Sequence, residues 1–382
     1  MPYLTLERRS TMTKGWKSIA DDFARRISGG ELAPGHRLPP GEEIAAEWGV
    51  SRHTAHRAIE ELQRQGQVVR QRRWGTVVAG PASRSTGRVA LMVDRFAPAV
   101  NFPPAEMLRG IQDGLGEDAQ LIVIDSRSDP EVEGRRLAQL GSEVDGLIIV
   151  PTTDPRNTAR IQKLVDGGLP VVVLDRVPQG LRSDAVVSDN ERATLDALHE
   201  LEMRGHRRIG FFSFHKPGFS SVLERHAAYV AALEEVGLKD HAPYERWFAQ
   251  ELDGDTTRLF QAVQDALFAL THGPEPITAL FCVQDVFAAA ALEAGARLGI
   301  ELPLATFNDW PPVMLRTPPT TLRIVQRTHE IGLTAAKLLL DRIHGERSEP
   351  QLVRVAAELI VPGPERFMAP VSPVRPTEVA SQ

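Results

Sequence analysis

The sequence predicts an α/β protein in two parts: a small N-terminal domain of helices with a short hairpin, and a larger body with parallel sheets. Three observations predict this. Near the N-terminus, two short amphipathic helices are joined by a glycine. From Arg88 onward, continuous apolar runs alternate with helical segments, which is typical of a parallel sheet covered on both faces. The alternation restarts after Ser188, which predicts two similar lobes with a cleft between them.

Composition limits the class of protein. The chain has 382 residues, enough for two to three domains, and 42% of them are apolar. It has no apolar run long enough to span a membrane, and its N-terminus lacks the apolar core of a signal peptide. The single cysteine, Cys282, excludes an internal disulfide and fits a cytoplasmic location. No cysteine–histidine cluster has metal-ligand spacing, so we expect neither a metal nor a cofactor, and no membrane partner.

Charge is distributed unevenly along the chain. The net charge is −6, yet residues 1–80 contain 13 Lys and Arg against 9 Asp and Glu, a net of +4. The rest of the chain contains 31 Lys and Arg against 41 Asp and Glu, a net charge of −10. This asymmetry predicts that the N-terminal domain contacts nucleic acid and that the body does not.

The N-terminal domain is predicted over residues 14–79, after a flexible arm at 1–13. Residues 16–27 form an amphipathic helix, and a second helix runs from about Glu42 to Trp48, with Gly49 in the following turn. Ser51 is a good N-cap for a third helix that ends at Gly66. That helix has an apolar face and an opposite polar face of His53, Arg57, Glu60 and Arg64. This pattern predicts a helix-turn-helix.

A basic hairpin follows the third helix. Two short β runs flank the turn Arg70-Gln71-Arg72-Arg73-Trp74-Gly75. Beside a recognition helix such a hairpin is a wing, whose tip can reach a phosphate or the minor groove. The alternative is a helical hairpin whose basic face is simply solvated.

Residues 16–78 resemble the winged helix of the GntR family of bacterial transcription factors. The family's G-x-x-L-P, V-S-R-x-T-V-R and G-x-G-T-F-V segments correspond to Gly35-His36-Arg37-Leu38-Pro39, Val50-Ser51-Arg52-His53-Thr54-Ala55-His56 and Trp74-Gly75-Thr76-Val77-Val78. Two departures are Glu42, where an Arg commonly contacts DNA, and His56, where the family has Arg. The resemblance implies that double-stranded operator DNA is a partner. The implied contacts are Arg37, Ser51, Arg52, His53, Thr54, His56, Arg57, Arg72, Arg73 and Gly75.

The body begins after a linker at residues 80–87. Its motifs resemble those of LacI-type repressors, which have a two-lobed, periplasmic-binding-protein-like fold. The corresponding segments are Val187-Ser188-Asp189-Asn190, Arg204-Gly205-His206-Arg207-Arg208-Ile209-Gly210, Glu224-Arg225-His226-Ala227-Ala228-Tyr229 and Thr278-Ala279-Leu280-Phe281-Cys282-Val283-Gln284-Asp285. The resemblance covers residues 88–363 and implies a first lobe at about 88–185 and 327–347. The second lobe is then about 186–326 and 348–363, and residues 364–382 are expected to be a disordered tail.

In such a body the ligand lies between the lobes, at the carboxyl ends of the strands. A polyol needs hydrogen-bonding groups for its hydroxyls and a flat apolar surface for its C–H face. The resemblance implies sugar contacts for Arg225, Gln284 and Asn308. The expected effector-binding set is Phe96, Asp154, Asp175, Arg225, Trp247, Gln284, Asp285 and Asn308, with Phe102 and Trp310 as further stacking candidates. Asp189 and Asn190 are expected to hold a turn and helix start, with ligand contact as the alternative. Trp247 and Trp310 can equally belong to the core, and His206 is expected to be structural.

The combination resembles repressors that join a GntR head to a LacI-type body. It implies a homodimeric, cytoplasmic repressor of a carbohydrate-utilisation operon, relieved by a sugar. The alternative is an activator or corepressor-dependent regulator that senses a different small molecule. A periplasmic binding protein would share the body, but it needs a signal peptide and no basic head. An aminotransferase-like fusion enzyme needs a longer chain and a Schiff-base lysine, and no G-x-S-x-G motif occurs.

Overall fold

The structure is a computed structural model. It describes residues 15–33, 36–71, 75–78, 87–96, 104–117, 119–140, 143–216, 218–249, 252, 255–307, 321–346 and 348–362. The expectations for the arm, the linker and the tail lie outside these ranges. So do those for Phe102, Arg72, Arg73, Asn308 and Trp310.

The N-terminal domain is a winged helix-turn-helix, as predicted. Its helices are α1 (Trp16–Ser28), α2 (Gly41–Trp48) and α3 (Arg52–Arg64). Strands β1 (Val68–Gln71) and β2 (Gly75–Val78) pair antiparallel, and a bridge from Arg37 to Val77 extends this small sheet. The three helices and both strands share one apolar core, which includes Ile19, Phe23, Ile44, Leu62 and Val78.

Local chemistry sets the limits of the recognition helix. The side chain of Ser51 accepts a hydrogen bond from the Thr54 amide at 3.2 Å, which confirms Ser51 as the N-cap. Gly49 has φ 65°, a left-handed conformation that suits glycine and allows the tight turn between α2 and α3. The helix ends at Arg64, and Gly66 follows with φ 71°.

The body contains two six-stranded sheets. The first has the order β13-β7-β6-β5-β3-β4. Its strands are β3 (Arg88–Val93), β4 (Gln120–Asp125), β5 (Gly146–Ile149), β6 (Val171–Leu174), β7 (Asp184–Ser188) and β13 (Leu352–Val355). The accompanying helices are α4 (Ala105–Leu115), α5 (Pro130–Leu140), α6 (Pro155–Asp166) and α11 (Thr328–Ile343). Strands β5 and β6 are wholly buried, as their continuous apolar sequences predict.

The second sheet has the order β14-β12-β11-β10-β8-β9. Its strands are β8 (Ile209–Phe214), β9 (Glu245–Phe248), β10 (Ala279–Cys282), β11 (Leu304–Phe307), β12 (Thr321–Val325) and β14 (Glu358–Ile360). Its helices are α7 (Asn190–Met203), α8 (Ser220–Glu235), α9 (Thr256–His272) and α10 (Asp285–Leu298). Strand β14 runs antiparallel to β12, whereas β9, β8, β10, β11 and β12 pair in parallel.

The end of the chain differs from the predicted lobe boundary. Residues from about 348 onward were expected in the second lobe, yet β13 pairs in parallel with β7 and therefore belongs to the first sheet. Only β14 joins the second sheet. Strand β7 likewise remains in the first sheet as far as Ser188, three residues beyond the expected limit of 185. The reason is non-local: β7 presents an unpaired edge that β13 completes.

Glycines allow α4 and α11 to pack closely. A Cβ on Gly332 would overlap the carbonyl oxygen of Met107, and one on Gly110 would overlap that of His329. Both positions therefore exclude any side chain unless the helices separate. Within the described ranges, no helix is long and apolar enough to cross a membrane.

Candidate DNA-binding face and effector cleft

The start of the recognition helix is exposed. Arg52, His53 and His56 all present their side chains to solvent. The Arg52 guanidinium lies 2.9 Å from a carboxylate oxygen of Glu42, and both side chains are more than two-thirds exposed. Glu42 replaces a basic residue of the GntR pattern. It forms an ion pair with Arg52, one of the cationic side chains expected to contact DNA.

Further along α3, two more of the expected contacts are engaged within the domain. The Arg57 guanidinium lies over the Trp16 ring, 4.7 Å from its centroid, in a cation–π contact between α3 and α1. The His56 ring lies 3.2 Å from the Glu60 carboxylate. Both are exposed positions, so these contacts leave the side chains accessible.

Thr54 and Ser51 have a structural role in the same turn. Their hydroxyl oxygens lie 2.8 Å apart, in addition to the capping hydrogen bond. They hold the turn that presents Arg52.

Arg37 and Gly75 meet in the wing. Gly75 has φ 86°, and a Cβ there would lie 3.3 Å from Nε of Arg37. A glycine at this position therefore serves both the left-handed backbone and the approach of the guanidinium. The exposed Arg37 side chain is thus held beside the wing tip.

Arg225, on α8, is the centre of a buried hydrogen-bonded network in the second lobe. Its guanidinium is 4% exposed. Nε donates to Oδ1 of Asn190 at 2.9 Å, and Nη1 donates to the carbonyl of Val283 at 2.9 Å. It also lies 3.6 Å from the centroid of the Phe307 ring. Nη2 donates no hydrogen bond to any of the described residues, so its N–H groups can donate to a ligand.

Asn190 belongs to this polar network and not only to the start of α7. Its amide donates to Oε2 of Glu224 at 2.9 Å, and Arg354, on β13, lies 3.1 Å from Oε1 of the same carboxylate. The chain Arg225–Asn190–Glu224–Arg354 therefore links the second lobe to a strand of the first. Asp189, by contrast, caps α7 by accepting from the Arg192 amide, which fits the turn-holding role.

The first lobe contributes a buried arginine that the sequence reasoning missed. Arg176 follows β6 and is 5% exposed. It lies 3.2 Å from Oδ2 of Asp94 and 2.8 Å from Oδ2 of Asp175. Burial alone would lower the pKa of Arg176, but these two carboxylates raise it above its usual value. An arginine next to the predicted Asp175, at a strand end, was the available signal.

Two features mark this region as unusual. Asp175 has φ 65° and Thr153 has φ 66°, conformations that are uncommon for residues other than glycine and occur often at functional sites. Oδ1 of Asp94 is buried, and among the described residues it has no hydrogen-bond partner. Buried carboxylate oxygens are normally paired, so this oxygen is a candidate acceptor for a ligand hydroxyl.

The two lobes meet at the start of α8. The amide of Val177 donates to the Ser220 hydroxyl at 2.9 Å, and the Arg176 guanidinium lies 4.1 Å from the centroid of the Phe219 ring. Burial lowers the pKa of Arg225 to about 10, although the charges of Asp175 and Glu224 act in the opposite direction. Asp175 and Arg225, on opposite lobes, are therefore electrostatically coupled.

The other expected effector contacts vary in availability. Asp154 caps α6 and pairs with Arg156 at 3.1 Å, and hydrogen bonding to Arg156 holds the pKa of its carboxyl below the usual range. Gln284 is the N-cap residue of α10, and Asp285, half-buried, accepts from the Val286 amide. Phe96 is 46% exposed just after β3. Asp154 is therefore committed to its own helix, whereas Phe96 is open to contact.

Trp247 lies on β9, an edge strand. It is 37% exposed, and its indole N–H donates to Oε2 of Glu245 at 2.9 Å. Its ring packs 5.2 Å from that of Phe211. The residue is thus part core and part surface.

A separate groove of about 550 Å³ lies beside β4 and α5. It is lined by Val123, Ile124, Asp125, Arg127, Val132, Arg135, Arg136 and Gln139. It includes none of the cleft residues described above, and its position at the sheet edge does not match the convergent polar groups of the cleft.

Comparison with known proteins matches both parts of the chain. Residues 16–78 match the family described as bacterial regulatory proteins, gntR family, and residues 195–363 match the periplasmic binding protein-like domain. The HTH-type transcriptional regulator PtxS of Pseudomonas aeruginosa is 30% identical over 287 residues, which cover 72% of this chain and 78% of that protein. The arabinose metabolism transcriptional repressor of Geobacillus stearothermophilus is 25% identical over 357 residues, 88% of this chain and 93% of that protein.

Solved structures share the fold. A complex of the transcriptional regulator CelR with cellobiose has a TM-score of 0.62 and 23% identity, and covers 85% of this chain and 99% of that one. The transcription regulator CcpA of Lactococcus lactis has a TM-score of 0.61 and 20% identity, and covers 72% of this chain and 98% of that one. These likenesses show that the body has the fold of such regulators. The curated relatives are transcriptional regulators and not enzymes.

Proposed function

Because this chain belongs to the HTH-type transcriptional regulators, with a GntR-family head and a LacI-type effector body, we propose that a small carbohydrate binds in its cleft and controls its affinity for operator DNA. The observation that carries the proposal is Arg225. Its buried guanidinium is fixed by two hydrogen bonds and retains unused N–H groups at the boundary of the two lobes. Such a fixed donor suits a sugar hydroxyl.

The groups around Arg225 fit a polyol better than an anion or an apolar ligand. Asp94 and Asp175 offer acceptors from the first lobe, while Arg225 and Arg176 offer donors. Exposed Phe96 supplies an apolar surface for a C–H face. Relatives whose names include arabinose and cellobiose support the carbohydrate class.

Ligand would act by holding the lobes at one closure angle. Because Arg225 is on the second lobe and Asp94 and Asp175 are on the first, a sugar bonded to both sides favours one arrangement. A ligand shifts such an equilibrium only by its difference in affinity for the two states. Effector and DNA must then alter each other's binding constants equally. We propose that the protein is a cytoplasmic repressor released by its sugar.

In the head, Arg52, His53 and His56 would approach base edges in the major groove. Arg37, with Arg72 and Arg73 of the wing, would contact phosphates or the minor groove. A single head makes a small interface, so we propose a homodimer on a two-fold symmetric operator. The first lobe, including α11, would supply contacts between the two copies.

A thermal-shift panel of pentoses, hexoses and disaccharides tests the proposed ligand class. A sugar that binds only the folded body stabilises it by about 2.7 kcal/mol at a hundred times its Kd. The unfolding midpoint therefore rises as the sugar concentration rises. A panel of nucleosides and amino acids is the control. If a nucleoside or an amino acid raises the midpoint and none of the sugars does, the carbohydrate assignment is overturned and the regulator assignment remains.

A further inference from the structure

Three metal-ligating side chains converge at the edge of the second sheet, apart from the cleft network. His226 is on α8, Glu245 is the first residue of β9, and His241 immediately precedes the short 3-10 turn Ala242–Tyr244. His226 Nε2 lies 3.0 Å and His241 Nδ1 lies 2.6 Å from the same oxygen, Oε1 of Glu245. The three ligand atoms are all within 4.8 Å of one another.

From this geometry we propose that His226, His241 and Glu245 bind one divalent transition-metal ion of the Zn²⁺ class. Two imidazoles and a carboxylate form a ligand set that suits Zn²⁺, Co²⁺ and Ni²⁺. With metal–ligand bonds of about 2.0–2.2 Å, tetrahedral ligand atoms lie roughly 3.3 Å apart. Small movements of these side chains would therefore reach coordination distance.

The environment of the His226 Nε2 atom favours a bound metal ion over a simple hydrogen-bonded group of three side chains. Nε2 of His226 is fully enclosed, yet it has no partner in hydrogen-bond geometry among the described residues, because its approach to Oε1 is close but poorly directed. A buried ring nitrogen without a well-directed hydrogen-bond partner is costly. A metal ion at the centre of the three atoms would satisfy it.

The surroundings of Glu245 prepare the carboxylate as a ligand. Trp247 donates its indole N–H to Oε2 at 2.9 Å, which orients the group and leaves Oε1 facing the histidines. Burial would raise the pKa of the Glu245 carboxyl, but the contacts of His226, Trp247 and His241 outweigh burial and lower it. The ionised carboxylate is the form that coordinates a metal ion.

Aromatic side chains flank the His226 ring, while the His226 side chain remains 26% exposed. The ring centroids of Phe211 and Trp247 lie 5.1 and 5.0 Å away, and Tyr229 stacks at 6.2 Å. Limited access of water strengthens the attraction between a cation and its ligands. Because His226 follows Arg225 on α8, a bound ion would also tie the helix that carries Arg225 to β9.

The test is Co²⁺ binding to the full-length, untagged protein after treatment with a chelator. We expect one Co²⁺ per chain, with visible d–d absorption, and displacement by Zn²⁺. His241→Ala and Glu245→Gln should each weaken binding by more than about a hundredfold, because the loss of a group that only supports a ligand already costs about 10–100-fold.

The matched control is His199→Ala. His199 lies 3.1 Å from Glu235 in the same lobe, but in the part of the chain that the structure describes this pair has no third metal-ligating side chain beside it. Circular dichroism confirms that each variant is folded. Unchanged Co²⁺ affinity in both site variants, or equal loss in His199→Ala, would overturn the proposal. Absence of stoichiometric binding to the wild-type protein would show that the trio is only an internal polar cluster.

Discussion

Replacing Glu42 by glutamine should increase the affinity of the head for DNA. In the structure, the Glu42 carboxylate lies 2.9 Å from the Arg52 guanidinium, at the start of the recognition helix. To contact DNA, Arg52 must leave this carboxylate, and Glu42 must approach the phosphates. Glu42→Gln removes both costs while keeping the size of the side chain.

The size of the increase in DNA affinity depends on how exposed the Arg52 and Glu42 side chains are. The two side chains are 77% and 69% exposed, so water and salt screen the pair and its contribution is about 0.2–1 kcal/mol. Releasing Arg52 should therefore tighten DNA binding by about 1.5- to 5-fold. If Arg52 gains a phosphate, the salt dependence should steepen by about 0.9 in slope. If Arg52 instead contacts a guanine base, the increase in affinity should depend on the DNA sequence.

Fluorescence anisotropy with a labelled duplex, measured at several salt concentrations, is the assay. Glu47→Gln is the matched control, because Glu47 is exposed on the same helix and undergoes the same change of charge. An equal gain in the two variants would mean that only net charge matters. No gain, or weaker binding, in Glu42→Gln would refute the placement of Arg52 at the DNA.

Three further predictions concern other parts of the chain. Arg225→Lys keeps the charge but cannot reproduce the guanidinium's directed donors, so sugar affinity by calorimetry should fall by about 10- to 100-fold while DNA binding remains; an unchanged affinity would move the effector elsewhere. Gly332→Ala would force α4 and α11 apart and should reduce the free energy of unfolding in urea by about 1–3 kcal/mol, whereas unchanged stability would contradict the tight crossing. Replacing Arg72 and Arg73 by alanine should weaken binding to all duplexes alike and flatten the salt dependence by about one unit per lost contact; a loss confined to one base pair would contradict the phosphate role.

The sequence predicted elements whose causes are local. Ser51 and Gly49 delimit the recognition helix through a cap and a left-handed turn, and both were readable from residue type and position. Alternating apolar runs likewise predicted the parallel strands of the body. By contrast, nothing local shows that β13 completes the first sheet, because its partner β7 is more than 160 residues away in sequence.

The candidate sites divide in the same way. Arg225 could be found because it lies in a motif that resembles a known family. For Arg176 the sequence offered only its place beside Asp175, because its pairing with Asp94, at the end of another strand, is not local. The group of His226, His241 and Glu245 also has no recognisable spacing, because a helix, a turn and an edge strand bring it together. The spacing of histidines and carboxylates along the chain therefore gave no reason to expect a metal.

Linkage between sugar and DNA tests the central claim most directly. A duplex would first be selected from a random pool by the wild-type protein, and its dissociation constant measured with and without the sugar that raises the unfolding midpoint. We expect this sugar to weaken DNA binding, and DNA to weaken sugar binding by the same factor, about 5- to 150-fold for typical coupling. A sugar that stabilises the protein but leaves the DNA dissociation constant unchanged would contradict the account.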